Sequence, residues 1–75
     1  MKELLDYIVK QIVSKPEDVE ISETISGNNI DLVVKVAEED LGAVIGKSGK
    51  VANSIRNVVR TSAKKINKRV NIKFM

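Results

Sequence analysis

Leu4, Leu5, Ile8, Ile12 and Val13 recur at three-to-four spacing, while Lys2, Glu3, Asp6, Lys10 and Gln11 fill the positions between. This period predicts an amphipathic helix over residues 2–14. Lys15-Pro16 ends it, because the residue before proline resists helical backbone angles. Pro16-Glu17-Asp18 reads as a turn. The period then drops to two. Val19, Ile21 and Ile25 alternate with Glu20, Ser22 and Thr24; Ile30, Leu32, Val34 and Val36 alternate with Asp31, Val33 and Lys35. Ser26-Gly27-Asn28-Asn29 supplies turn chemistry between the two runs. A hairpin with one face on a core follows.

Helical spacing returns at Glu38. A short helix runs to Ile45, its three opening acids (Glu38, Glu39, Asp40) favouring the positive end of its dipole. Gly46 to Gly49 breaks it. A long helix follows to about Asn67, with Val51, Ala52, Ile55, Val58, Val59, Ser62, Ala63 and Ile66 on its core face. Lys50, Asn53, Arg56, Asn57, Arg60, Thr61, Lys64 and Lys68 fall on the outer face. Val70, Ile72 and Phe74 alternate with Asn71 and Lys73 in a last strand. The order α-β-β-α-α-β predicts an α+β fold, a three-stranded sheet with helices packed on one face. No linker or repeat interrupts residues 1–75, which read as one domain.

Composition sharpens this picture by exclusion. The 75 residues contain no cysteine and no histidine. Disulfides, thiolate metal sites and the commonest general base are therefore absent. Six serines have no histidine to activate them, so no enzyme chemistry is visible. The Glu38-Glu39-Asp40 run does not converge on a metal, since neighbours on a helix point about 100° apart. No apolar run approaches the roughly 18 residues of a membrane span, and a cytoplasmic location is the expectation.

Charge divides the chain. Residues 1–40 hold four basic side chains and all ten acidic ones, a balance of −6; residues 41–75 hold nine basic and no acidic ones, a balance of +9. Such asymmetry points to a polyanionic partner for the basic half.

That half opens on Val44-Ile45-Gly46-Lys47-Ser48-Gly49-Lys50. Two glycines three apart let the backbone turn sharply and approach a ligand. The helix beginning there presents amides and a positive dipole end to a phosphate. A nucleotide-binding P-loop is excluded, because three residues rather than four separate Gly42 from Gly46-Lys47-Ser48 and an acidic helix precedes it. A DNA-reading helix-turn-helix is a second reading, with Lys50, Asn53, Arg56 and Arg60 facing the duplex. The third is a glycine loop between two helices on a three-stranded sheet, the arrangement that clamps about four nucleotides of single-stranded nucleic acid.

Here the residues resemble a known family. Val44-Ile45-Gly46-Lys47-Ser48-Gly49 is similar to the signature loop of the KH domain, and the element order resembles the type II arrangement. Glu39-Asp40-Leu41-Gly42 before the loop and Val51-Ala52-Asn53-Ser54-Ile55-Arg56 after it are similar to the small bacterial single-KH proteins. The resemblance implies a single-stranded RNA-binding protein acting as an RNA chaperone or post-transcriptional regulator. It also implies a homodimer or a heterodimer with a KhpB (Jag)-type KH protein, and a role in cell elongation and envelope homeostasis. Gly46 and Gly49 would be the paired loop glycines, with Lys47 and Ser48 facing phosphates. Ile45 would line the apolar groove, and Lys50, Asn53 and Arg56 would flank it. Base edges would read the backbone of Leu32 to Val36, and Ser26 to Asn29 would form a short variable loop. Ala52 stands where many KH domains carry a large aliphatic residue.

Tyr7 and Phe74 are the only aromatics, so aliphatics and backbone rather than a stacking platform would meet the bases. Lys64, Lys65, Lys68 and Arg69 lie roughly 25 Å along the helix from the loop. They read as cations at the negative dipole end, as an extended RNA track, or as a protein interface.

Overall fold

The computed structural model describes residues 1–75. Helix α1 spans Lys2–Ile12, strand β1 Glu20–Ser26 and strand β2 Asn29–Lys35; helices α2 (Glu38–Ile45) and α3 (Lys50–Lys64) follow, then strand β3 (Arg69–Phe74). Short 3-10 turns occupy Pro16–Asp18 and Lys47–Gly49. This is the type II KH layout of α-β-β-α-α-β, with a three-stranded mixed sheet.

β1 and β2 pair antiparallel, from Glu20 opposite Lys35 to Ser26 opposite Asn29. Gly27 turns between them with φ 59°. β2 and β3 pair in parallel, Asn29 beside Arg69 and Val34 beside Phe74. A parallel pair cannot be joined by a tight turn, so α2, the glycine loop and α3 form the crossover. The sheet order β1-β2-β3 places β2 at the centre. The helices cover one face, where Ile30, Leu32, Val34, Val70 and Ile72 meet Ile55, Val59 and Ala63 of α3. On the open face, Thr24 lies opposite Asp31, and Asp31 opposite Asn71.

Four apolar side chains depart from the sequence pattern. α1 buries Leu5, Val9 and Val13, one stripe at i, i+4, i+8, and leaves Ile12 at the surface. On α3, Val58 is 50% exposed, and Ile66 beyond the helix is 54% exposed. On β1, Ile25 is 60% exposed, because the helical layer covers the strand only in part. Period alone marks an apolar face but not how far a neighbouring element extends over it.

α3 ends in a Schellman turn. The Lys68 N–H donates to Ala63 O and the Asn67 N–H to Lys64 O. Asn67 takes φ 56° there, a left-handed conformation that asparagine tolerates better than most residues. The turn sends the chain back along α3 as β3.

Candidate nucleic-acid interface

The loop Gly46–Gly49 is built from left-handed backbone. Gly46 has φ 75° and ψ 177°, Ser48 φ 55° and ψ 27°, and Gly49 φ 75° and ψ 11°. A Cβ on Gly46 would overlap Val51 Cγ2 and lie 2.8 Å from Val51 Cβ and 2.9 Å from Val51 N. Gly49 has open space, its nearest atom being Asn53 Nδ2 at 3.9 Å. One glycine is thus required by both angle and packing, the other by angle. Behind them α3 starts with no side-chain cap on its N-terminus; the Lys50 N–H donates to Lys47 O, and the positive end of the helix dipole favours an anion there. Lys47 and Ser48 are exposed beside it, and Ile45 forms an apolar lip, 37% exposed.

The flanking residues sort onto two sides of α3. Asn53 and Arg56 face β3. Arg56 Nε donates to Ile72 O at 3.2 Å, and its Nη1 donates to Asn53 Oδ1 at 3.0 Å. The Arg56 guanidinium also lies 5.3 Å from the Phe74 ring centroid, a cation–π contact. Lys50 instead borders a groove toward α1, among Ile8, Ile12, Val51, Ser54, Ile55 and Val58. The structure therefore joins Asn53 and Arg56 with the loop along one flank and sends Lys50 along the other. Phe74 was not among the residues expected at the site. Its only sequence signal is its place at the end of an alternating strand, and its role depends on β3 lying beside α3.

The strand expected to read base edges needs correction. Leu32, Val33 and Val34 are paired on both sides, with β1 and with β3. Their backbone donors and acceptors are consumed by the ladders. The strand beside α3 with a free edge is β3, so that edge, not β2, borders the groove. The hairpin turn at Gly27-Asn28 sits at the other end of the sheet, where the Arg69 N–H donates to Asn28 O.

Asp40, in the acidic first turn of α2, does more than face the helix dipole. No side chain caps α2, whose N-cap is Ala37. Asp40 is 4% exposed and serves as an anchor between elements. Its Oδ1 accepts from the Ser14 N–H at 2.9 Å and the Ser14 hydroxyl at 2.7 Å; its Oδ2 accepts from the Lys15 N–H at 3.0 Å. The Ser14 bonds, together with that from Lys15, hold the carboxyl below its usual value despite the cost of burial. Beside it Lys15 Nζ meets Glu39 at 2.8 Å, and the Glu39 carboxylate raises the lysine above its ordinary range. The start of the loop-bearing helix is thereby tied to the end of α1.

The KhpA/KhpB KH-domain family model matches residues 2–74. The chain belongs to that KH-domain family. It is 47% identical over 75 residues to the RNA-binding protein KhpA of Clostridium perfringens, with all of both chains covered. The RNA-binding protein KhpA of Clostridium acetobutylicum is 45% identical over the same span. That of Chlamydia trachomatis is 40% identical, covering all of this chain and 96% of the relative. In this KhpA/KhpB-type domain no helix is long and apolar enough to cross a membrane.

Proposed function

We propose that this KH domain binds single-stranded RNA and is not an enzyme. The loop Gly46-Lys47-Ser48-Gly49 holds backbone phosphates against the start of α3, and the bases lie between α3 and the free edge of β3. The observation that carries this reading is the uncapped start of α3 behind three left-handed residues, with Lys47 exposed beside it. Membership of a family whose relatives are called RNA-binding proteins supports the same reading. The DNA-duplex alternative fits less well. Arg56, central among the side chains that would face a duplex, is fastened to Ile72 and Phe74 instead of projecting outward.

The cellular role we infer is that of an RNA chaperone or post-transcriptional regulator in the cytoplasm, acting in cell elongation and envelope homeostasis. A KhpB (Jag)-type protein is the heterodimer partner, in keeping with the pairing in the family's name. A homodimer is a second reading, favoured by the half-exposed Val58 in the apolar groove between α1 and α3.

Lys47→Asp with Ser48→Asp tests the loop. Fluorescence anisotropy of a labelled single-stranded RNA is expected to show at least a tenfold weaker complex, a loss of roughly 1.4 kcal/mol, with the fold unchanged by circular dichroism. Undiminished binding would sink the loop assignment.

A further inference from the structure

Four cations converge at the far end of α3, away from the glycine loop. Arg60 and Lys64 from α3, with Lys68 and Arg69 from the segment entering β3, line a cavity of about 380 Å³ against Val70 and Asn71. The Schellman turn at Asn67 creates this convergence by folding Lys68 and Arg69 back beside the helix. None of the four takes part in an ion pair, since the protein's two bridges are Lys10–Asp6 and Lys15–Glu39. In the sheet, Asp31 accepts from the Asn71 amide.

The helix dipole explains only part of this. A cation near the last turn is favourable there, which suits Lys64. Arg60 stands a turn earlier, and Arg60 and Lys64 place like charges at i, i+4 on the helix, an arrangement that disfavours the free protein, with Lys68 and Arg69 brought beside them by the turn. All ten acidic side chains belong to the first 40 residues, and one carboxylate bonded to the cavity's lining, Asp31 through Asn71, does not offset four cations. An external polyanion relieves it. Between this cavity and the loop, Asn53, Arg56 and Arg60 line the same flank of α3, so the two ends are joined by a continuous polar and basic path.

We propose that this cavity is a second phosphate subsite for the same RNA strand that the loop holds. The proposal rests on the RNA-binding reading above. From Lys50 to Lys64 the helix advances about 21 Å. A tetranucleotide centred on the loop does not reach the cavity, whereas a dodecanucleotide does.

The test compares wild type with Lys64→Gln plus Arg69→Gln on oligouridylate of both lengths, by anisotropy over a salt series. Each phosphate neutralised on a single strand adds about 0.7 to the slope of log affinity against log salt. Losing two contacts lowers the dodecanucleotide slope by about 1.4. The advantage of wild type over the variant then shrinks about sevenfold between about 50 and about 200 mM salt. Tetranucleotide binding stays unchanged, which also reports that the variant is folded. Equal losses on both lengths, or none on the longer RNA, overturn the subsite; none on the longer RNA would leave the cavity to an acidic protein segment. Failure of wild type to bind either RNA overturns the RNA-binding reading and the subsite together.

Discussion

Gly46 adopts φ 75° with ψ 177°, a backbone region that only glycine occupies without large strain. Gly49 adopts the milder left-handed helical angles. The two substitutions should therefore differ. Gly49→Ala places a methyl in open space and costs about 1–2 kcal/mol from the angle alone. Gly46→Ala adds a collision with Val51 and is expected to cost more than Gly49→Ala or to remodel the loop. Urea denaturation of both variants checks the order, and equal midpoints would contradict it. The glycines were legible in the sequence because few other residues suit such a turn. The engagement of Arg56 and Phe74 was not. Helical spacing puts Arg56 on the outer face, and only the position of β3 reveals that Ile72 O accepts from its Nε.

Among the elements, α2 is fixed at both ends, by Asp40 at its start and by Gly46 after its end. Asp40 has a lowered proton affinity in the folded state. Its contribution to stability is accordingly complete above the ordinary carboxylate range, near 3.8, and is lost as pH falls below it. Asp40→Asn removes this titration. Thermal melts from about pH 5 to about pH 3 should show wild type losing stability more steeply than the variant. Parallel curves would mean that the Ser14 and Lys15 bonds do not bind the proton equilibrium to folding. Element type and approximate bounds were readable from the periods of two and 3.6, and β2 follows its expected alternation at Ile30, Leu32, Val34 and Val36. The Asp40 anchor was hidden. Its partners lie 26 and 25 residues away, and an acidic first turn already has a local explanation in the dipole.

For the whole molecule, the chain's charge asymmetry becomes a spatial one. The nine cations of residues 41–75 lie on the loop, α3, the Asn67 turn and β3, whereas Glu17, Asp18, Glu20 and Glu38 line an acidic hollow beside Lys35. The apolar groove between α1 and α3 borders neither of these patches alone, since Lys50 and Ser54 close one side of it. If copies pair through this groove, Val58→Asp should leave the fold intact and shift the mass measured by light scattering from dimer toward monomer. An unchanged dimer would exclude the groove as the contact. The α+β class and helix layer were legible in the sequence. Sheet order was not, because alternation does not say which strand is central, and the strand assigned to base reading was wrong for that reason.

The free edge of β3 carries one more consequence. An unpaired strand edge is a template for another chain, and proteins blunt it with charge. Here Arg69 and Lys73 stand on that strand. Arg69, proposed above as an RNA contact, and Lys73 thus also keep bare copies from zipping together along their sheets. An anion that neutralises them withdraws this colloidal protection, so solubility and RNA occupancy are coupled through a single strand.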